Sequence, residues 1–413
     1  MNSPACRSCG ALLTQTLLDL GEMPLANAYV NPLQADSPEP TYELHARVCL
    51  TCFLVQVNDA VPPAQIFTDY AYFSSFSTSW IKHAELFTKI AIDRLRLDKT
   101  SLVVEVASND GYLLQHFVSE NIPVLGIDPA EAAATAARKR DIPTEALFFG
   151  SQTAVRLREQ YGEADLIVAN NVLAHVPDMN DFISGFCKLL QGHGVVTFEF
   201  PHLLNLLELG QFDTIYHEHY SYLSLHSVEI LLSKHGLRVF EAEEIPTHGG
   251  SLRLWVCHKS NIRPASSGLN MIRQKEKEFG IATPKAYNGF TAKADVIRKN
   301  LLRFLLTAKK RNQKVAAYGA AAKGNTLLNY CGITADDIEF VVDDNPHKKN
   351  LYMPGTRLPI MNSTAILDQD IKLCLLTLSA ESEEKVIQNN QEYLVRGGHF
   401  HSIFPGNPLA LSI

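Results

Sequence analysis

Residues Val103 to Leu114 read VVEVASNDGYLL, and the order of side chains in this stretch decides the fold. A short apolar, β-branched run stops at an acid and a turn, and a helical pattern follows, so the stretch reads as a strand, a tight loop and a helix start. Glu105 sits near the strand's end. Ser108 and Asn109-Asp110-Gly111 form a loop that tolerates unusual backbone angles and delivers N–H groups at a helix N-terminus, a corner that binds a small polar ligand. Further on, VLGID is a second buried strand ending in Asp128, where a doubly wound α/β domain places an acid for a ribose. The expected ligand is a nucleoside.

The missing glycines narrow the choice. A dinucleotide loop uses G-x-G-x-x-G so that a pyrophosphate can approach the backbone, whereas Val106 to Gly111 contains one glycine. That disfavours NAD. An acid before the turn repels a pyrophosphate but attracts the ammonium of a methionine moiety, so Glu105 with Asp128 suits S-adenosylmethionine. The bland alternative is an ordinary βα turn with a capping Asp.

With 413 residues and 46% hydrophobic content, the chain has core enough for two or three domains. Its net charge is −7, and the one basic run, Lys309-Lys310-Arg311, reads as a solvated helix end. Nucleic acid is not an expected partner. The N-terminal MNSPACRSCG lacks an apolar leader core and no stretch has the length of a membrane span, so neither a membrane nor export is expected and the protein reads as cytoplasmic.

Four of the eight cysteines, Cys187, Cys257, Cys331 and Cys374, fall in apolar segments and read as buried thiols. The others pair as Cys6-x-x-Cys9 and Cys49-x-x-Cys52, two knuckles closing on one tetrahedral Zn²⁺. Four thiolates leave no open coordination position, so this zinc is structural. Residues 22–42 read mostly as loop, and the aromatic-rich FTDYAYFSSFSTSW from Phe67 marks a domain boundary. Its Tyr70 and Tyr72 either pack between domains or reach a polar pocket.

Beyond VLGID the signals alternate: an alanine-rich helix from Ala130, the apolar run ALFF, a helix through Arg158, the strand DLIVAN, a helix from Met179 and the strand VVTFEF. This is a doubly wound parallel sheet. A helix at 227–235, a strand at 237–242 and GGSLRLWVCH close it with a hairpin in which one strand is reversed. Asn170 and Asn171, then His175, follow the DLIVAN strand, at the strand ends where such sheets bind ligands. Past VVTFEFP comes Asp213-Thr214-Ile215-Tyr216-His217-Glu218-His219-Tyr220. An extended chain would put His217 and His219 on one face and Tyr216, Glu218 and Tyr220 on the other; a local bend is needed for Glu218 and His219 to share a pocket. The cluster can be a metal site, a polar turn, or general acid/base machinery, for which a histidine's ordinary pKa near 6.5 is suited.

The paired Cys-x-x-Cys, the SNDG loop, YHEHYSYLS and THGGSLR (Thr247 to Arg253) together resemble the C-methyltransferases that act on nucleotide-linked 4-keto-6-deoxyhexoses, over essentially the whole chain. The resemblance implies an N-terminal zinc-binding domain (1–68), a central class I methyltransferase, Rossmann-like domain (69–284) and a C-terminal α/β Rossmann-like domain (285–413). It implies methyl transfer from S-adenosylmethionine to sugar C-3, the nucleotide being dTDP or GDP. It makes His219 the base, with Tyr216, Glu218, His175 and Tyr70 around the sugar, and His175 or a tyrosine as donor to the enolate oxygen. Further candidate substrate contacts are Tyr72, His217, His248 and Arg253. One departure is Ala107, where methyltransferase loops commonly have glycine.

Apolar residues at 290, 294, 297, 301, 304 and 308 predict one long helix over 285–310. KVAAYGAAAKGNTLL, IEFVVDDNP, LCLLTLS and HFHSIF then give a sheet of about four strands. The GAAAKG loop, Gly319 to Gly324, can cradle a diphosphate with Lys323 supplying charge, or serve as a plain turn. A monomer is expected. Two other classes stay open: a dinucleotide-dependent sugar oxidoreductase or epimerase, and a non-catalytic zinc-ribbon scaffold that binds a nucleotide sugar.

Overall fold

A computed structural model describes residues 4–62, 73–404 and 410–411. Tyr70 and Tyr72 lie outside them. Strands β1 (Gln15–Met23), β2 (Tyr42–Val48) and β3 (Val55–Gln56) form an antiparallel sheet. Among the described residues of the central unit, β4 (Val103–Val106), β5 (Val124–Ile127), β6 (Thr144–Glu145), β7 (Ala164–Asn170) and β8 (Leu190–Pro201) are parallel neighbours. A short β9 (Ser221–Tyr222) leaves this unit to pair with β3, giving the N-terminal sheet a fourth strand. Then β10 (Leu237–Ile245) and β11 (Ser251–His258) complete a seven-stranded sheet of order β10-β11-β8-β7-β4-β5-β6. β11 runs antiparallel to both neighbours, so the reversed strand of the closing hairpin lies inside the sheet.

The parallel strands are buried on both faces, as their continuous Val/Ile/Leu/Phe runs demand. One layer beneath the sheet holds Phe182, Phe186 and Phe198, the other Phe87, Phe117 and Trp255. Each such side chain contributes ~1.5–3 kcal/mol by leaving water.

Among its described residues the C-terminal unit has five parallel strands: β12 (Val315–Tyr318), β13 (Val341–Asp343), β14 (Ile360–Asn362), β15 (Leu373–Leu376) and β16 (His399–Ser402), in the order β14-β13-β12-β15-β16. The unexpected fifth, β14, has only three residues and too little apolar pattern to stand out. The helix leading into this unit starts at Phe290, not 285, because Gly289 takes a left-handed φ of 81° and separates it from the turn at Pro284–Tyr287. ALFF is not a strand. The strand is Thr144–Glu145, and the apolar run after it is a loop.

Candidate active site

At the C-terminal ends of β4, β5 and β7 lies a cavity of about 880 Å³, walled by all three units. Its floor is the loop after β4. Ala107, Asn109 and Gly111 alternate at positive φ (61°, 50° and 78°), the trace that glycines usually supply. Only the third position is sterically bound to glycine, because a Cβ on Gly111 would strike Ile142. Ala107 and Asn109 line the cavity and have room for a side chain, leaving only backbone strain, of order 1 kcal/mol each. Asp128 braces this loop: one oxygen accepts the Asn109 N–H at 2.9 Å and the other the Ala130 N–H at 2.9 Å.

The residues expected at the nucleoside divide into two groups. Asn109, Asp128, Asn170 and Asn171 line the cavity. Glu105, Ser108, Asp110 and Gly111 lie behind its wall. Glu105 is 1% exposed, next to Tyr112, and burial pushes its carboxyl well above the usual range, so it does not present the expected charge on the cavity wall. Ser108 packs beneath Gly126, Asp110 accepts from the Ser75 hydroxyl and faces Arg140 at 3.4 Å, and Gly111 packs on Ile142. Asn170 Oδ1 and both side-chain polar atoms of Asn171 are buried with no hydrogen-bond partner among the described residues, and both residues line the cavity, where a ligand can reach them. Asn171 also has a strained φ of 53°.

The second wall is the polar cluster, and it is bent. His219 N–H donates to the Tyr216 carbonyl at 3.0 Å, closing a turn that sends Tyr216, Glu218 and His219 into the cavity. His217 is turned away. Its Nε2 meets the Tyr42 carbonyl at 3.2 Å and its ring sits edge-on to Tyr42, so it takes no part in the cavity. His219 Nδ1–H donates to the Thr214 carbonyl (3.1 Å), which leaves Nε2 as acceptor for the Tyr216 hydroxyl at 2.6 Å. Burial, then the adjacent His175, hold His219 well below the ordinary histidine value. The two rings are 4.7 Å apart. His175 donates Nδ1–H to the Glu218 carbonyl (2.8 Å), and burial lowers it to about 4. A neutral ring protonated at Nδ1 has no Nε2–H, so His175 is not the donor expected for an enolate oxygen.

His248 lines the cavity at a left-handed φ of 55°, and burial, with the charge of Lys323, lowers it to about 4. Arg253 does not reach the cavity. In β11 it stands opposite Glu199 of β8, donates to it at 3.0 Å and lies over Phe87. Lys323 does line the cavity, but its loop cannot cradle a diphosphate: the Ala320 N–H is taken by Asp343, and Leu378 and Thr377 cover Gly319 and Gly324. The cation that joins Lys323 on the wall is Lys385, which donates to Ser79 at 2.7 Å beside Ser379 and Ser382. Sequence reasoning missed these, as it missed Asn27, Trp80 and Tyr112. Only Trp80 had a signal, the aromatic density of its stretch. ALFF gives the cavity an apolar side through Leu147, Phe148 and Phe149.

Away from the cavity, the Sγ atoms of Cys6, Cys9, Cys49 and Cys52 all lie within 4.8 Å of one another. Cys6–Cys52 and Cys9–Cys49 are 3.5 and 3.4 Å apart, near the ~3.8 Å edge of a tetrahedron with ~2.3 Å zinc–sulfur bonds. Backbone N–H groups of Thr51 and Cys52 point at Cys49 Sγ and the Gln56 amide at Cys6 Sγ. The four sulfurs fit one zinc and complete its coordination, so the metal holds the fold and does no chemistry.

The strand order with β11 reversed inside it, the loop after β4 and the acid ending β5 define a class I, S-adenosylmethionine-dependent methyltransferase carrying a zinc-binding unit. Three family models match in series: a putative zinc binding domain over residues 6–67, a methyltransferase domain over 81–242 and a C-methyltransferase C-terminal domain over 246–405. The chain is 31% identical over 398 residues to C-methyltransferase NovU of Streptomyces niveus, covering 96% of this chain and 94% of that one. It therefore belongs to the C-methyltransferase family. Among solved structures, magnesium protoporphyrin IX methyltransferase from Synechocystis with bound SAH is 15% identical with a TM-score of 0.35 over 43% of this chain and 83% of its own. An S-adenosylmethionine-dependent methyltransferase from Clostridium acetobutylicum is 11% identical with a TM-score of 0.36 over 43% and 92%.

Proposed function

We propose that the protein methylates C-3 of a 4-keto-6-deoxyhexose linked to a nucleoside diphosphate, dTDP or GDP. The observation that carries this reading is the His219–Tyr216 pair: a buried, neutral imidazole whose Nε2 accepts from a phenol on the wall of the cavity that Asp128 also lines. A sugar C–H becomes acidic only beside a carbonyl, and its removal requires a base and a donor for the enolate oxygen.

When bound, S-adenosylmethionine supplies an electrophilic methyl group. Asp128 and Asn109 would hold its ribose end, Asn170 Oδ1 its ammonium, and Leu147, Phe148 and Phe149 its adenine. His219 and Tyr216 act as one acceptor: a proton taken by the phenol oxygen releases the phenol's own proton to Nε2. Thr214, by accepting Nδ1–H, fixes the tautomer that keeps Nε2 open. The Asn171 amide nitrogen and the charge of Lys323 serve the enolate oxygen. Glu218 accepts a sugar hydroxyl and balances the imidazolium, while Lys385, Ser379 and Ser382 face the diphosphate.

The test is product analysis. Methyl-labelled donor with a panel of dTDP- and GDP-linked 4-keto-6-deoxy sugars should give a product whose label sits on C-3 by NMR. Label on oxygen, or no transfer to any 4-keto sugar, contradicts the proposal.

A further inference from the structure

The loop after β1 belongs to the zinc-binding unit, yet it ends in the catalytic cavity. The Asn27 amide nitrogen donates to both carboxylate oxygens of Glu218, at 2.8 and 3.0 Å. Both partners line the cavity. The loop is pinned from its far side: the Tyr29 hydroxyl donates to the Ala320 carbonyl at 2.6 Å, and Val30 and Tyr352 exchange backbone hydrogen bonds at 3.0 and 2.9 Å. Glu218 is pinned to the same zinc-binding unit. The strand that follows its turn, β9, pairs with β3, where Gln56 stands opposite Ser221 and donates to Cys6 Sγ, and Val57 N–H donates to the Tyr220 carbonyl at 3.1 Å.

Glu218 is 6% exposed, and in this buried place an ionised carboxylate needs a donor. Among the described residues, the titratable groups around it are His175 and His219, whose pKa values burial lowers, and Tyr216 and Tyr220. The nearby cations are directed elsewhere: Arg7 lies over the Tyr220 ring and pairs with Asp59, and Lys323 acts on His219, His248 and Asp213. Among the described residues two influences act on Glu218: burial, the larger, which raises its pKa above the usual carboxylate range, and the Asn27 amide, which opposes that rise.

We propose that Asn27 is a positioning residue of the active site, whose amide grips both oxygens of the Glu218 carboxylate and aims it into the cavity, so that the zinc-binding unit completes the catalytic wall. The catalytic consequence rests on the role given to Glu218 above. A two-oxygen contact from one neutral donor orients the carboxylate without cancelling its charge, which a lysine or arginine would do.

The test uses the full-length, zinc-loaded protein with Asn27→Leu, Asn27→Asp and Glu218→Gln. Carbon-13 NMR of glutamate-labelled protein, with the Glu218 signal assigned by its loss in Glu218→Gln, should show the Glu218 midpoint moving up in Asn27→Leu. Zinc content and S-adenosylmethionine affinity should stay at wild-type values. Turnover of the 4-keto sugar nucleotide that gives C-methyl product should fall roughly 10- to 100-fold in Asn27→Leu, as for loss of a hydrogen bond to a charged group. Asn27→Asp should lose turnover at neutral pH and regain part of it as the pH falls, when a proton shared between the two acids restores the donor. An unmoved Glu218 midpoint, or wild-type turnover of both Asn27 variants while Glu218→Gln is impaired, overturns the proposal. Wild-type turnover of Glu218→Gln would instead remove the catalytic role of Glu218, with the NMR midpoint still reporting whether Asn27 controls its ionisation.

Discussion

The central and C-terminal units solve the same local problem in the same way and end with opposite surfaces. In each, a strand runs into a small-residue loop and a helix, and an acid at the end of the next strand braces that loop. Asp128 accepts N–H groups from Asn109 and from Ala130, two residues on. Asp343 accepts them from Ala320 and from Asn345, two residues on, all at 2.9 Å. Over the first loop is a cavity. Over the second, Leu378 and Thr377 cover the glycines, and Lys348 lies 3.3 Å from Asp343. The motif therefore makes a braced loop, and what packs above it decides whether the loop is a site. Among the described residues the glycines of the C-terminal loop are covered by side chains, so that loop does not offer the close backbone approach a dinucleotide's pyrophosphate needs. It turns its helix and Lys323 toward the open cavity of its neighbour.

The largest effect is expected on the open side. His219→Asn should lower turnover ~10²–10⁴-fold, with donor affinity near the wild-type value by calorimetry. His217→Asn, on the outward side of the same turn, should change turnover far less; equal losses would place both histidines in the chemistry.

Next come the two bracing acids. Asp128→Ala should weaken S-adenosylmethionine binding at least ~10-fold, the loss of hydrogen bonds to a charged group. Asp343→Ala should lower the melting temperature and leave donor affinity unchanged. Weakened binding in the second variant would mean that the closed loop is a ligand site after all.

A smaller effect follows from the buried histidines of the open side. His175 falls to about 4 in the fold. Above pH 6.5 it is neutral in both folded and unfolded chains; between 6.5 and 4 the unfolded chain binds a proton that the folded one does not, so stability is lost as pH falls, by ~1.4 kcal/mol per pH unit. Because Asn can keep the hydrogen bond to the Glu218 carbonyl, His175→Asn should melt with a shallower loss between pH 6.5 and 4 than the wild type. Parallel melting curves would place His175 in contact with water.

The smallest effect is at Ala107, where φ is 61°. Ala107→Gly relieves left-handed strain and should alter stability by about 1 kcal/mol or less, the relief opposed by glycine's greater unfolded-state freedom. Chemical denaturation checks it, and a loss of several kcal/mol would show that the methyl group is packing.

The fold was legible because its signals are periodic. Apolar β-branched runs that end in acids marked β4 and β5, and the reversed β11 followed from a hairpin pattern. The cysteine spacing marked the metal unit just as plainly. Failures came where a side chain's direction depends on the third dimension. A strand's end shows that Glu105 is near the ligand loop, but not that Tyr112 covers it. Arg253 carried the charge of a substrate contact, and its cross-strand partner Glu199 claimed it. His217 and His219 were separable only once the turn at Tyr216 was known, and Asn27 sits in a stretch with no pattern at all. Contacts between units leave no periodic trace.

The central claim, that the His219–Tyr216 pair removes a proton from carbon beside a ketone and leaves it on His219, can be measured apart from methyl transfer. With a 4-keto sugar nucleotide, an inert donor analogue and deuterated water, the wild type should exchange the C-3 hydrogen, followed by NMR. His219→Asn should exchange far more slowly. Exchange at the wild-type rate in that variant would contradict the account and pass the base's role to a group that works without His219, His175 first.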